Sequence, residues 1–390
     1  MKKIFKFAAV VLCAAATFAS CEKEGPSTSA PLPVDRINGE YSSTKVEKAL
    51  VLNYSGAIFD GKSAKFTAID NTKATISVDY LLPGVPSTQI EVTLVQDAAV
   101  GYTFSGKLDI AEGTVDCTGS IVEGKLTLNV NASLKNELSA TSWSLRPIEL
   151  GGDWGDEIIG SGLHAVLESE KPFTIDMGLG FPVPMPANDV IKLMTGMKLF
   201  GEKGKEVNMH EMLANAGIIS INFKADGNVT INMTEAGKEV ETPLNLAFYF
   251  MKDGKVYLTL NLTGILNNLP QAPKTTAEGE ITPNLDPLMG GLLSYLPMLQ
   301  GGIEMTFSKD ENGKAALYLD TALLKDLCAK AIVPFLKDET NKKFFEQEIK
   351  KNDSLKDSAP MFLPVIDQVG DVIAVATKFE LGLNLNEIKK

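Results

Sequence analysis

Residues 37 to 134 alternate between apolar and polar positions with a period of two, which predicts short β-strands. The apolar positions are Leu50, Leu52, Tyr54, Phe66, Ile69, Ala74, Ile76, Val78, Tyr80, Ile90, Val92, Leu94, Tyr102, Phe104, Leu126, Leu128 and Val130. Turn signals separate them at Asp60-Gly61-Lys62, Asp70-Asn71, Pro83-Gly84, Glu112-Gly113 and Glu123-Gly124. The spacing predicts about eight antiparallel strands. We expect residues 37–140 to form a calycin-like barrel or a sandwich, since closure removes exposed strand edges.

From residue 141 onward, hairpin patterns alternate with apolar helical patterns. Three pairs of apolar strands meet across Asp226-Gly227, Asp253-Gly254 and Asp310-Glu311-Asn312-Gly313, the residues that tight turns favour. We therefore predict that residues 141–390 form an α+β domain of antiparallel hairpins packed on apolar helices. The whole chain is expected to be β-rich α+β.

Two of these hairpins lead into similar helical segments. Thr263-Gly264-Ile265-Leu266-Asn267-Asn268-Leu269 aligns with Thr321-Ala322-Leu323-Leu324-Lys325-Asp326-Leu327. This similarity favours a diverged hairpin-plus-helix repeat, with chance similarity between amphipathic segments as the alternative.

Three further segments have helical spacing. Asn188 is the expected N-cap of a helix that contains Val190 to Met197, and Asp286-Pro287 is the expected start of one that runs to Leu299. A helix from Phe362 to Ile373 precedes a last strand with Phe379, Leu381, Leu383 and Leu385.

The N-terminus has the pattern of a lipoprotein signal in residues 1–20. Lys2, Lys3 and Lys6 precede a short apolar run, and Phe18-Ala19-Ser20-Cys21 resembles a lipobox, which makes Cys21 the expected lipidation site. The alternative is an ordinary cleavage site with a chance cysteine beside it. Residues 21–36 are rich in Pro and Ser and are expected to form a lipidated tether.

These features predict an outer-membrane lipoprotein anchored by N-terminal acyl chains. The Glu22-Lys23-Glu24 run resembles a surface-export signal, so the cell surface is favoured over the periplasmic face. Removal of the three signal lysines changes the formal charge from -12 to -15. This charge argues against a nucleic-acid partner, which needs clustered cations.

The sequence offers few groups for catalysis. His164 and His210 lack the spacing of a zinc helix or a nucleophile elbow, so both are interpreted as bystanders. No metal or other cofactor is predicted. Asp153, Asp156 and Glu157 flank Trp154 in a Gly-rich stretch, which leaves a glycan-active enzyme as one alternative and a surface loop as the other. Cys117 and Cys328 are expected to be buried free thiols.

Two other kinds of site are indicated. Methionine and leucine on helix faces suggest an apolar pocket formed by Met194, Met197, Met289, Leu292, Leu293 and Leu296, with ordinary core packing as the alternative. Three Asp-Ser/Thr-apolar triplets resemble an O-glycosylation sequon, at Thr321, Ser354 and Ser358.

Several motifs carry a resemblance to a known family. They are Gly39-Glu40-Tyr41, Leu50 to Gly56, Gly61 to Phe66, Tyr102 to Gly106, Gly124 to Val130 and Thr141-Ser142-Trp143. The chain resembles uncharacterised Bacteroidetes outer-membrane lipoproteins of about 400 residues, whose N-terminal part is similar to calycin-like envelope domains. The resemblance implies a barrel with at most an internal ligand site, and it brings no catalytic residue.

We therefore expect a non-enzymatic, lipid-anchored envelope protein that binds a hydrophobic small molecule or an envelope protein. One alternative is a lipid carrier with a tunnel in the C-terminal domain. The other is the glycan-active enzyme near Trp154.

Overall fold

The computed structural model describes residues 32–97, 101–153, 157–176, 181–198, 205–268, 283–351 and 359–389. Within them the chain is strand-rich and contains a closed β-barrel followed by a second large sheet. Cys21 and most of the tether lie outside the described residues.

Nine strands build the first sheet, and eight of them form the closed ring. The strands are β1 (Gly39–Ser42), β2 (Ala49–Tyr54), β3 (Ala57–Ile58), β4 (Ser63–Ala68), β5 (Lys73–Asp79), β6 (Ser87–Asp97), β7 (Gly101–Asp109), β8 (Gly113–Val122) and β9 (Lys125–Leu134). Their order is β1-β4-β5-β6-β7-β8-β9-β2, with β1 also pairing with β2, while β3 extends β2 as a short hairpin. The predicted barrel is confirmed.

The sequence pattern predicted a wholly antiparallel barrel, but two of its strand pairings are parallel. β2 runs parallel to β9 over the pairs Ala49–Lys125 to Tyr54–Val130, and β1 meets β2 in parallel at Ser42–Ala49. Turn residues specify only pairs of strands that follow each other in the chain. The parallel pairings join strands that no tight turn connects, so the turn signals contain no information about them.

Side chains fill the barrel interior. The inward positions of β2, β5, β6 and β9 have the predicted period of two, and Leu52, Ile76, Ile90 and Leu128 are at most 1% exposed. Two predicted inward residues are instead exposed, Ile69 at 64% and Tyr80 at 47%, because both lie in turns beyond the strand ends.

Each end of the barrel is covered by other parts of the chain. At one end, helix α1 (Val34–Ile37) buries Ile37, and the Tyr41 and Tyr102 hydroxyls donate hydrogen bonds to the carbonyls of Ile37 and Leu32. At the other end, the β5–β6 loop buries Leu81 and Leu82 completely. This second end faces the second sheet.

The second sheet has ten strands, and four more strands form two separate hairpins. The large sheet comprises β10 (Thr141–Leu145), β13 (Leu163–Ser169), β16 (Ile218–Phe223), β17 (Val229–Glu235), β18 (Lys238–Glu241), β19 (Ala247–Lys252), β20 (Lys255–Leu260), β21 (Ile303–Lys309), β22 (Lys314–Leu319) and β23 (Ala376–Glu387). The hairpins are β11 (Glu149–Gly151) with β12 (Glu157–Gly160), and β14 (Phe173–Asp176) with β15 (Pro182–Met185).

The last strand organises this sheet. β23 pairs with β22 on one side, and on the other side its two halves pair with β13 and β10. The full strand order is β18-β17-β16-β10-β23-β22-β21-β20-β19, and β13 pairs with β23 outside this path. The sheet curls, so that β19 returns to the β16–β17 turn through an Asn228–Phe248 bridge. The C-terminal strand thus lies inside the sheet, as its apolar alternation had indicated.

The three predicted hairpins are present as β16–β17, β19–β20 and β21–β22. Asp253 and Gly254 both have positive φ, and so does Gly313 in the third turn. Asp-Gly turns tolerate this conformation, which explains why the hairpins were readable from the sequence.

Helices occupy the connections of the second sheet. They are α2 (Ala187–Gly196), α3 (Met209–Ala214), α4 (Leu262–Asn268), α5 (Asp286–Leu293), α6 (Leu296–Gly301), α7 (Thr321–Leu327), α8 (Val333–Lys337), α9 (Glu339–Lys351) and α10 (Ala359–Ala374). A π-helical segment, Cys328–Ile332, joins α7 to α8. None of these described helices is long and apolar enough to cross a bilayer.

Two predicted helix starts differ from the structure. Pro186, not Asn188, is the N-cap of α2, and the Asn188 side chain instead accepts a hydrogen bond from the Leu167 N–H. The expected single helix after Asp286 is divided into α5 and α6, with Pro297 in the first turn of α6. Proline lacks the N–H that a continuous helix would need there.

The two hairpins that lead into α4 and α7 have equivalent caps. Asn261 accepts a hydrogen bond from the Gly264 N–H, and Asp320 accepts one from the Leu323 N–H. These caps align Asn261 with Asp320. The alignment of the two amino-acid segments, which matched Thr263 with Thr321, differs from this by one residue. The origin of the two segments as a repeat stays a prediction.

One hydrophobic core connects the barrel with the second sheet. It includes barrel residues such as Tyr54 and Phe59 together with Trp143, Phe248 and Tyr249 of the later strands. A second cluster lies under α2, α7 and α10 and includes Val190, Leu324 and Val372. The predicted boundary at residue 140 falls between β9 and β10, but apolar packing continues across it.

Candidate functional site

The two histidines of the chain line one cleft of about 710 Å³ in the second sheet. We call it the histidine cleft. Its polar end contains Ser161, His164, Thr195, His210 and Asn384, and its apolar wall contains Leu150, Ile158 and Ile159 of the β11–β12 hairpin.

His164 lies on β13, where neighbouring strands explain its position. It pairs with Gly382 of β23, and Gly382 pairs in turn with Tyr318 of β22. Gly382 has no side chain, so the His164 and Tyr318 rings stack over it with centroids 4.7 Å apart and planes 23° apart. A Cβ at Gly382 would lie 2.1 Å from the Leu317 carbonyl oxygen. This position therefore requires glycine.

Both ring nitrogens of His164 face acceptors. The Asn384 amide nitrogen donates to the carbonyls of Ser161 and Leu163, which directs its Oδ1 toward His164 Nδ1 at 3.2 Å. His164 Nε2 lies 2.9 Å from Glu380 Oε2. These two contacts fix the orientation of the His164 ring, whose side chain is 17% exposed beside that of Glu380 at 13%.

His210 has a different environment, set by the start of α3. Asn208 and Glu211 form a reciprocal capping box, so the helix begins at Met209 and holds His210 in its first turn. His210 Nδ1 lies 2.7 Å from Ser161 Oγ, and its Nε2 lies 3.2 Å from Thr195 Oγ1.

The hydrogen bonds around His210 determine its tautomer. Thr195 donates its hydroxyl hydrogen to the Ile191 carbonyl at 2.8 Å, so Thr195 Oγ1 accepts from the His210 Nε2–H. Nδ1 is then unprotonated and accepts from the Ser161 hydroxyl. Burial lowers the pKa of His210, which favours this neutral form.

The electrostatics of the cleft combine opposite charges. Lys192 and Lys198 are exposed at its edge, and neither has an ion-pair partner among the described residues. The Glu211 carboxylate accepts the Asn208 N–H, whereas Glu157 is exposed. Within the described part of the chain, no group of three or more His, Cys, Asp or Glu side chains is arranged to hold a metal ion.

The apolar wall is unusually open to solvent. Leu150 is 59% exposed and Ile159 is 62% exposed, although both lie on a paired hairpin. Large apolar side chains grouped beside a polar cavity are typical of ligand sites. The arrangement is suited to a molecule that has a polar head and an apolar body.

A second cavity, of about 380 Å³, lies between the barrel and the second sheet. Lys62, Phe59 and Tyr80 line it from the barrel, and Phe250 and Leu260 line it from the sheet. Lys62 Nζ donates to the carbonyls of Asp79 and Tyr80 and lies 4.8 Å from the centre of the Phe59 ring. Burial lowers the pKa of Lys62 to about 8.

Five of the six residues of the predicted apolar pocket lie on three helices, and the sixth directly follows one of them. Met194, on α2, packs against the second core cluster, and Met197 directly follows that helix. Met289, Leu292, Leu293 and Leu296 are 40% to 55% exposed on α5 and α6. None of the six lines either cavity described above.

The other predicted site residues have varied positions. Thr321 begins α7, and its hydroxyl accepts a hydrogen bond from the Phe379 N–H. Asp153 and Glu157 are exposed. Cys21, Trp154, Asp156, Ser354 and Ser358 lie outside the described residues. Cys117 and Cys328 are buried and free, as predicted, and burial raises the pKa of each thiol to about 11.

Sequence reasoning missed the polar partners of the histidines. Ser161 is 49 residues from His210, and Asn384 is 220 residues from His164, so no short motif connects them. The capping pattern Asn208-Met209-His210-Glu211 was the one local signal, and it predicts a helix start but no chemistry.

Comparison of the chain with protein-family models, with curated proteins and with solved structures finds no match.

Proposed function

We propose that this chain is a lipid-anchored cell-envelope protein that binds an amphiphilic small molecule in the histidine cleft. The observation that carries the proposal is the exposure of Leu150 and Ile159 next to a buried polar end. Binding an apolar chain against these two residues would remove their surface from water, which is the dominant favourable contribution in apolar recognition. The polar end would accept the head group.

The barrel is a less suitable site for such a ligand. Its inward side chains are almost fully buried, and both of its ends are covered. An internal site of the calycin type would need these side chains to move. The histidine cleft needs no such rearrangement.

Laurate is a suitable probe of the cleft, because it joins one carboxylate to a flexible apolar chain. We expect the Leu150→Ser/Ile159→Ser variant to bind laurate about 10-fold more weakly, since about 1.4 kcal/mol of apolar burial would be lost. Isothermal titration of the detergent-solubilised full chain measures this change. Ile58→Ser is the matched control, because Ile58 is 64% exposed on the barrel and away from the cleft. Equal laurate affinity of all three proteins would refute the proposal.

The anchor is proposed from the Phe18-Ala19-Ser20-Cys21 pattern. Cells grown with radiolabelled palmitate should label the wild-type chain and should not label Cys21→Ala. Protease treatment of intact cells then tests the surface location, which the Glu22-Lys23-Glu24 run favours. Complete protection of the protein would place it on the periplasmic face.

A further inference from the structure

Ser161 and His210 form a pair whose geometry goes beyond ligand binding. Ser161 Oγ lies 2.7 Å from the unprotonated Nδ1 of His210, and Thr195 holds the opposite ring nitrogen at 3.2 Å. An activated serine nucleophile needs these three parts: a hydroxyl, a base within hydrogen-bond reach and a group that orients the base.

The surroundings of the pair suit an ester substrate. Ser161 is 3% exposed and lines the polar end of the cleft, so a substrate carbonyl would have to reach that buried end. Leu150 and Ile159 offer an apolar surface in the same cleft for an acyl chain. Lys192 and Lys198 add positive charge at the edge of the same cleft, where the carboxylate product would leave.

We propose that Ser161 is the nucleophile and His210 the general base of an acyl-ester hydrolase that acts on the amphiphile bound in the histidine cleft. This inference rests on the proposed binding function of the same cleft. It adds an ester as the substrate class and gives a chemical role to two residues that the sequence left without one.

The reaction balances with water as the second substrate. Ser161 Oγ attacks the ester carbonyl while its proton moves to His210 Nδ1, and the tetrahedral adduct expels the alcohol, which takes that proton. Water then attacks the acyl-serine with His210 Nδ1 as base. Carboxylic acid leaves, and the hydroxyl of Ser161 is restored.

The neutral state of His210 supports this assignment, since a base must be unprotonated when it accepts the serine proton. Burial lowers the pKa of His210, so the ring stays neutral at physiological pH. The Thr195 contact fixes the tautomer that leaves Nδ1 free. Thr195 is therefore a positioning residue.

The test is covalent labelling of the detergent-solubilised full chain with an alkyl fluorophosphonate. We expect one adduct by intact mass, located on Ser161 by peptide mapping. Ser161→Ala should abolish labelling and lower the kcat/KM for p-nitrophenyl octanoate at least 100-fold, as expected for loss of the nucleophile. Ser220→Ala is the matched control, a serine that is 6% exposed outside the cleft, and it should label like the wild type.

His210→Ala separates a chemical role from a structural one. Its labelling should fall at least 100-fold and should recover in part when imidazole is added, because free imidazole can replace the missing base. A wild-type chain that binds laurate but takes no adduct, or takes it elsewhere, overturns the hydrolase and leaves the binding function standing. A wild-type chain that does not bind laurate would overturn both the binding function and the hydrolase.

Discussion

At the scale of single residues, the histidine cleft contains two histidines with different polar partners. An amide oxygen and a carboxylate face the ring nitrogens of His164, whereas two hydroxyl groups contact those of His210. Both rings are half-buried, so the two sites differ mainly in these partners. Local sequence does not contain this information, because the partners lie on α2, β23 and the β12–β13 connection.

The neutral state of His210 predicts a pH-dependent stability. Burial lowers the pKa of His210 below the ordinary value near 6.5, so the unfolded chain binds a proton at a pH where the folded chain does not. The contribution to the free energy of unfolding is complete above about pH 6.5 and is lost as the pH falls below it. Urea unfolding at several pH values should show this loss in the wild type. His210→Gln should lack it, and parallel curves for the two proteins would contradict the prediction.

The buried amino group of Lys62 predicts a second pH dependence of stability, this time at alkaline pH. Its pKa is lowered by burial to about 8, so between pH 8 and its ordinary value of 10.5 the unfolded chain binds more protons than the folded chain. The stability of the wild type relative to Lys62→Met should therefore rise with pH across that window. Its partial exposure limits the gain to about 1–2 kcal/mol. Lys65→Met, at an exposed position on β4, is the control for the loss of a surface lysine. A stability difference between the wild type and Lys62→Met that does not change across this pH window would contradict the prediction.

At the scale of elements, turns bring the barrel and the second sheet into close contact. Gly84 has φ +82° in the β5–β6 loop, and a Cβ there would lie 2.5 Å from the Phe250 ring. Gly227 has φ +87° in the β16–β17 turn, and a Cβ there would lie 2.8 Å from Pro83. The sequence marked both glycines as turn residues. It did not reveal that each turn also touches the other sheet.

Gly84→Ala should therefore cost more than an ordinary turn substitution. A left-handed alanine costs about 1–2 kcal/mol, and the clash with Phe250 adds about 1–3 kcal/mol. Gly124→Ala is the matched control, because Gly124 has φ +81° and no heavy atom within 4 Å of the added Cβ. Chemical denaturation gives both values. Equal losses in the two variants would mean that the Phe250 contact is unimportant.

At the scale of the whole molecule, a buried asparagine joins the two sheets. The Asn245 amide nitrogen donates to the carbonyls of Tyr54, Ala57 and Ile58, and Asn245 is 1% exposed. The Tyr54 hydroxyl in turn donates to the Asp226 carbonyl at 2.7 Å. These bonds lie beside the continuous core formed by Phe59 and Phe248, whose rings are 5.0 Å apart.

We expect the barrel and the second sheet to unfold together because of this junction. Asn245→Ala leaves buried carbonyls without a donor and should lower the free energy of unfolding by about 2–4 kcal/mol. Asn53→Ala, which removes an exposed side-chain bond to Asn129, should cost less than about 1 kcal/mol. Hydrogen exchange should report one unfolding free energy for peptides of both sheets, reduced equally by Asn245→Ala. Separate transitions would show that the sheets are independent.

Period-two burial and Asp-Gly turns are local properties, so the amino-acid sequence alone specifies the barrel strands and the three Asp-Gly or Asn-Gly hairpins. Leu50, Leu52 and Tyr54 alternate inward as predicted, and Asp253-Gly254 makes its turn with two positive φ angles. The parallel closure of β2 on β9, the junction at Asn245 and the contact of Ser161 with His210 arise only in the folded chain. These contacts join residues dozens to hundreds of positions apart, and their energies depend on burial and geometry that exist only after the chain has folded.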